Sequence, residues 1–140
     1  MIYIDTNVIA YSCVNIGTSR QVYSKQLLEK IIREKDLILS PLVLQELAFV
    51  LYKLKVKKEK IANIIKFYEK YSKGNIDNDL VMAAFDLCFE IGNMKPINDA
   101  IHLKIAEKYA SQIITFDSDF KRLRRFTEME IKILEMPGEG

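Results

Sequence analysis

The amino-acid sequence predicts an α/β fold with a small, mainly parallel sheet flanked by helices. Three observations carry that prediction. Short apolar runs recur along the chain, at 2–4, 37–39, 112–116 and 131–134. Stretches with apolar residues at helical spacing and a polar outer face separate them, and strands interleaved with helices build parallel sheets. In four places an acid stands beside one of these apolar elements.

Residues 2–4 (Ile2, Tyr3, Ile4) read as a short central strand buried on both faces, closed by Asp5 and two small polar residues, Thr6 and Asn7. Residues 8–18 are mixed and include Gly17, which predicts a helical turn and then a loop. From 19 to 33, Val22, Tyr23, Leu27, Leu28, Ile31 and Ile32 give a helical stripe. Residues 37–39 form a second short strand. Ser40 then caps a helix over 41–55 that has Pro41 at its first position and Glu46 inside an apolar run. A further helix covers 57–70, and a polar loop over 71–78 has room for a minor strand around Ile76. The stretch 79–90 is helical and ends at Gly92. Asn98 is expected to cap the next helix, 99–109. Residues 112–116 are a β-branched strand ending at Asp117, followed by a short helix and a last strand over 131–134. The tail from Pro137 is expected to fray.

The 140 residues fit one domain, 1–140, able to bury a core unaided. With 49% hydrophobic and 29% charged residues the chain reads as globular, not disordered or membrane-embedded. No run approaches the roughly 18 apolar residues of a spanning helix, and no signal-peptide pattern opens the chain. Cytoplasmic residence is the expectation. Cys13 and Cys88 lack zinc or redox spacing and read as small hydrophobes. A net charge of +2 does not announce nucleic-acid binding, but the cations cluster. Lys53, Lys55, Lys57, Lys58 and Lys60 form one run; Lys121, Arg122, Arg124 and Arg125 form another. Either could be a solvated helix end. The second follows an acid-bearing strand, where a polyanionic substrate such as RNA would meet cations in contact with its backbone.

The acids matter most when taken together. Asp5 and Asp117 end strands, Glu46 lies in the second turn of a helix that follows a strand, and Asp99 opens a helix. Strand carboxyl ends and the helix starts that follow them share one edge of a parallel sheet, so all four can converge in one cleft. Each also has a plain structural role open to it: an Asx-turn for Asp5, a dipole partner for Asp99, a cap for Asp117. Glu46 is hardest to explain that way, because apolar residues on both sides predict burial and a buried Glu needs a partner. Clustered carboxylates repel unless a cation compensates them. An all-oxygen set favours Mg²⁺ or Mn²⁺ over Zn²⁺. Such an ion can acidify water, orient a phosphate and stabilise a leaving oxygen, so phosphodiester hydrolysis is the economical chemistry.

Four ordered blocks resemble a PIN domain: Ile2-Tyr3-Ile4-Asp5-Thr6-Asn7; Ser40-Pro41 with Glu46-Leu47; Asn98-Asp99-Ala100-Ile101-His102; and Ile114-Thr115-Phe116-Asp117-Ser118-Asp119-Phe120. In length and motif order the chain looks like the toxin nuclease of a VapBC toxin–antitoxin pair. The resemblance implies a PIN-like three-layer fold and a metal-dependent endoribonuclease with an antitoxin partner, often a homodimer, and no membrane. It implies that Asp5, Glu46, Asp99 and Asp117 form the acidic site. Asp5, Asp99 and Asp117 would hold the metal, and Thr6, Asn7 and Thr115 would support the site by hydrogen bonding. Members differ over the fourth acid; Asp117 is favoured because it comes straight off the strand, with Asp119 auxiliary. His102, three residues after Asp99, either packs through a plain hydrogen bond or supports the acids. A lone His cannot run a metal-free ribonuclease, so the metal must carry the chemistry.

Two other classes compete. A phosphoacceptor receiver domain also collects acids at a sheet edge, but it carries paired acids at its first strand and a Lys after its last core strand, and neither stands here. A PIN-like RNA-binding or RNA-processing module would keep the acids without a toxin role. The helix bearing Leu44, Leu47, Phe49, Val50, Leu51, Tyr52 and Leu54 is apolar around most of its circumference, which suits a buried core helix or a partner-binding one.

Overall fold

The computed structural model describes residues 1–14 and 18–136. Among the described residues, four strands form one sheet: β1 (Ile2–Ile4), β2 (Leu37–Ile38), β3 (Gln112–Thr115) and β4 (Glu130–Ile133). Their order is β2-β1-β3-β4, and every pairing is parallel, so the sheet is wholly and not just mainly parallel. From β1 the chain crosses outward to β2; from β3 it crosses the other way to β4. The reversal falls between β1 and β3, the position where open parallel sheets leave a crevice at the strand carboxyl ends.

Among the described residues, six helices flank the sheet: α1 (Thr6–Cys13), α2 (Ser19–Arg33), α3 (Pro41–Lys53), α4 (Lys58–Glu69), α5 (Asn78–Ile91) and α6 (Ile97–Tyr109). A 3₁₀ helix covers Ser118–Phe126. α1 packs against α2 and α3, α3 against α4, and α5 against α6. The core is continuous, from Tyr3 and Ile4 through Leu47, Leu51, Leu103 and Ile105 to Ile113 and Leu123. Among the described residues no helix is long and apolar enough to cross a membrane.

Several elements follow their sequence signals. Ser40 Oγ accepts from Val43 N, and Pro41 opens α3. Gly92, at φ +80°, closes α5 by donating its N–H to Cys88 O at 2.9 Å, a conformation glycine adopts without a Cβ penalty. Cys88 is buried, and Cys13 is partly buried against the core.

Other elements differ. The stretch expected as one turn and a loop begins as the eight-residue α1, because Asp5 caps it, accepting from Thr6 N at 2.8 Å, and because Val8 and Ile9 bury fully. The loop assigned to Gly17 lies outside the described residues, as does the tail 137–140. No strand forms around Ile76; instead Leu39 makes an isolated parallel bridge to Ser72. α5 starts earlier than expected because Asp77 accepts from Leu80 N at 2.9 Å. Asn98 caps nothing. α6 begins at Ile97 with Pro96 as its cap, since Pro96 O already accepts from Ala100 N at 2.8 Å and proline's missing N–H costs nothing at a helix start. Asp99 is therefore the third residue of its helix.

α3 has two apolar sides. Leu47 and Leu51 are fully buried, whereas Phe49 (62%), Tyr52 (72%) and Leu54 (52%) are exposed. One side of the helix is thus core, as expected for a buried helix, while Phe49 and Tyr52 leave an apolar patch exposed on the other.

Candidate active site

Strand register builds the first half of the site. Ile4 pairs with Ile114, so the next residues, Asp5 and Thr115, emerge side by side at the carboxyl edge. Asp5 N donates to Ile114 O at 3.0 Å, and Thr115 Oγ1 donates to Asp5 Oδ2 at 2.7 Å. Thr115 Oγ1 also accepts from Asp117 N at 2.9 Å and Asn7 Nδ2 at 3.3 Å, which fills a hydroxyl's one donor and two acceptor positions. Asn7 Oδ1 accepts from Phe116 N at 3.1 Å, tying the start of α1 to the end of β3. Thr6, Asn7 and Thr115 therefore hold the strand ends that carry Asp5 and Asp117.

The second half comes from α3 and α6. Glu46 Oε1 receives Thr6 Oγ1 at 2.8 Å and His102 Nε2 at 2.6 Å. His102 is 1% exposed, and its other nitrogen, Nδ1, meets Tyr3 Oη at 2.7 Å. Tyr3 Oη in turn meets Ser40 Oγ at 2.7 Å. His102 is thus both packed in the core and hydrogen-bonded to one of the acids. Tyr3 had no assigned part beyond strand packing. Its signal was a phenol in a doubly buried strand, which requires a hydrogen-bond partner.

All four acids, Asp5, Glu46, Asp99 and Asp117, line one cleft of about 450 Å³, with Thr6 and Asn7 beside them. Tyr11, Val14, Val50 and Leu54 make its apolar wall. Crowding shows in the proton affinities. Burial pushes Asp99 up, and the charges of Asp5 and Asp117 push it further, to about 7. Burial also raises Asp5, against the pull of His102 and its hydrogen bonds from Thr115 and Thr6. Glu46 goes the other way: burial would raise it, but the bond and charge of His102 and the bond from Thr6 outweigh burial and hold it below the usual carboxylate range. His102 is raised, because Glu46 and Asp5 overcome the opposing effect of burial.

These residues suit a hard divalent cation. Asp5, Glu46 and His102 bring potential ligand atoms within 4.8 Å of one another. Both His102 nitrogens are engaged by Tyr3 and Glu46, however, so the donors facing the cleft are carboxylate oxygens. Oxygen donors and the mutual repulsion of Asp5, Asp99 and Asp117 are compatible with a bound divalent cation.

Asp119 does not line this cleft. Its side chain is 63% exposed and pairs with Arg122 at 3.4 Å, while its backbone N–H donates to Asp117 Oδ1 at 2.9 Å. The basic run around it is dispersed. Lys121 is exposed, Arg124 donates to Ile131 O at 2.9 Å, and Arg125 stacks over Phe126 beside a separate hollow that includes Glu90 and Glu107. None of the four cations lines the acidic cleft.

A family model described as PIN domain matches residues 2–126. No curated protein matches the chain. Among solved structures, the fold is similar to one described as the crystal structure of VapBC2 from Rickettsia felis bound to a DNA fragment from their promoter. The identity is 20% and the TM-score 0.67, over 96% of this chain and 100% of the other. At that identity the likeness is one of fold.

Proposed function

The chain belongs to the PIN domain family, and from that premise we propose that it is a metal-dependent endoribonuclease, the toxin of a type II toxin–antitoxin pair. One observation carries the reading: four carboxylates from separated stretches, Asp5, Glu46, Asp99 and Asp117, line a single cleft. Asp5, Asp99 and Asp117 would hold Mg²⁺ or Mn²⁺. When bound, such an ion supplies Lewis acidity and neutralises charge developing on a phosphate.

The chain's own groups do the rest. Thr115 and the Thr6 backbone fix both oxygens of Asp5, so its orientation precedes substrate binding. Glu46 stays ionised because of His102 and Thr6, and an ionised carboxylate in the cleft accepts a hydrogen bond from the attacking water and orients it. Water oxygen bonds to phosphorus in line with the departing 3′ oxygen and gives up a proton to Glu46; as the P–O3′ bond breaks, O3′ takes a proton from solvent, leaving a 5′-phosphate and a 3′-hydroxyl. The apolar wall lets an unpaired nucleotide approach without stranding its base in water. The same family reading brings an antitoxin and a homodimer as partners. The exposed Phe49 and Tyr52 on α3 support a protein partner. Residence in the cytoplasm, as a single domain, belongs to the same proposal.

The test is purified protein with mixed-sequence RNA in EDTA, Mg²⁺ or Mn²⁺, beside Asp5→Asn. Metal-dependent cuts with 5′-phosphate ends, lost in the variant, are expected. Cleavage that persists in Asp5→Asn with metal present refutes the assignment of the site.

A further inference from the structure

Behind the acidic cleft lies a buried polar chain that no carboxylate chemistry requires: Ser40 Oγ, Tyr3 Oη, His102 and Glu46 Oε1, linked at 2.7, 2.7 and 2.6 Å. Ser40, Tyr3 and His102 are 0%, 0% and 1% exposed. They come from the cap of α3, the central strand β1 and the middle of α6, so the chain crosses the core from one element to the next. Burying a phenol, an imidazole and a hydroxyl costs stability unless each is paired, and an apolar core would avoid the cost.

We propose that Tyr3 is a positioning residue, which through His102 fixes the direction of the Glu46 carboxylate. The inference rests on the nuclease reading of the cleft for its kinetic consequence, but not for its geometry. The bonding is directional. A carboxylate only accepts, so His102 Nε2 donates to Glu46 Oε1. With a neutral ring, Nδ1 accepts from the Tyr3 hydroxyl, and Tyr3 accepts from Ser40, which accepts from Val43 N at 3.4 Å. Every polar atom is then paired. With a protonated ring the two inner bonds reverse, and Tyr3 donates to Ser40. Either way the ring is gripped at both nitrogens and cannot flip or tilt. The Thr6 and His102 bonds both end on Glu46 Oε1. That leaves the second oxygen, Oε2, engaged by neither bond, with the carboxylate's tilt set through Oε1. Removing the Tyr3 hydroxyl frees one end of the ring, and the carboxylate loses its aim without losing its charge.

Tyr3→Phe tests this because it deletes one oxygen and keeps the ring. Four proteins are compared: wild type, Tyr3→Phe, His102→Gln and the double variant. The readouts are Mn²⁺ affinity, steady-state cleavage of a mixed-sequence RNA, and NMR of the His102 ring nitrogens and the Glu46 carboxyl carbon. In Tyr3→Phe the Glu46 and His102 signals are expected to shift. Mn²⁺ affinity should hold within about twofold, and kcat should fall roughly ten- to hundredfold with KM little changed. Tyr3→Phe should add little in the His102→Gln background, where the link is already cut. Unchanged Glu46 and His102 signals in a folded Tyr3→Phe protein overturn the proposal, as does an equal effect in both backgrounds. If wild type itself cleaves nothing, the nuclease reading falls, while the NMR comparison still decides whether Tyr3 orients Glu46.

Discussion

Thr115 Oγ1 lies 2.7 Å from Asp5 Oδ2, across 110 positions of sequence. The parallel register of β1 and β3 makes that meeting unavoidable, and the hydroxyl then serves three partners at once. Thr115→Val keeps the shape and removes the hydroxyl. It leaves Asp5, Asn7 and Asp117 N each short of a partner, so stability should fall by about 1–3 kcal/mol. Cleavage should drop about ten- to hundredfold through lost orientation of Asp5. Thr115→Ser should recover most of both. Denaturant titration and cleavage rates on the three proteins decide it; a fully active Thr115→Val would show that Asp5 needs no such support.

Asp99 gives the metal-free protein a pH signature. Its pKa of about 7 stands above the ordinary value of 3.8. The folded chain therefore binds a proton more tightly than the unfolded chain. The stability this gives is full below about pH 4 and is lost as pH rises through about 7. Asp99→Asn removes the repelled charge, so it should stabilise the metal-free fold at pH 8, by about 1–2 kcal/mol after allowance for solvent screening at a partly exposed group. At pH 4 the gain should nearly vanish. Saturating Mg²⁺ should reverse the order at pH 8, because only the native carboxylate set gains from the ion. Thermal unfolding at the two pH values, with and without Mg²⁺, reads all three. A larger gain at pH 4 than at pH 8 would reverse the sign of this account.

How much of this was legible beforehand depended on whether local signals and distant ones agreed. The strands at 2–4 and 112–116 are readable, the second one residue too long, because apolar and β-branched runs bounded by polar residues leave little else. Convergence of Asp5, Glu46, Asp99 and Asp117 followed from sheet geometry alone, since strand ends and helix starts share an edge. The start of α6 was misread because Asn98 is a better cap by type than Pro96, and only the backbone bond from Ala100 N settles which carbonyl comes first. α1 reads as no more than a turn because residues 8–18 carry a mixed pattern, whereas the Asp5 carboxylate both caps the helix and lines the cleft. The Tyr3–His102–Glu46 chain was invisible for a different reason. Its members lie on three elements, and nothing in the spacing of a single Tyr and a single His says that they meet.

The two apolar faces of α3 separate core from surface. Leu47→Ala opens a cavity at a fully buried site and should cost about 2–5 kcal/mol. Phe49→Ala, at a residue 62% exposed, should stay within about 0.5 kcal/mol. Its cleavage rate should match wild type, since Phe49 does not line the cleft. Any deficit should appear only against a protein partner, read as a change in complex formation on a sizing column. A large stability loss in Phe49→Ala would mean that this face is packed, not presented.

The two acids after β3 are close in sequence but differ in surroundings, and that difference predicts opposite phenotypes. Asp117 lines the cleft, and its Oδ1 accepts the Asp119 N–H at 2.9 Å, so it both faces the other acids and starts the 3₁₀ helix. Asp117→Asn keeps an oxygen for that cap but halves the donor strength offered to a cation. Metal affinity should fall at least tenfold and cleavage at least a hundredfold. Asp119 points away to Arg122 at 3.4 Å with most of its side chain in solvent. Asp119→Asn gives up a surface pair worth about 0–1 kcal/mol and should keep cleavage within about threefold, since no charge leaves the cleft. Isothermal titration with Mn²⁺ and single-turnover cleavage on both variants separate the two. If Asp119→Asn lost metal binding while Asp117→Asn kept it, the fourth acid would be Asp119, and the segment after β3 would have to turn that side chain inward when the ion binds.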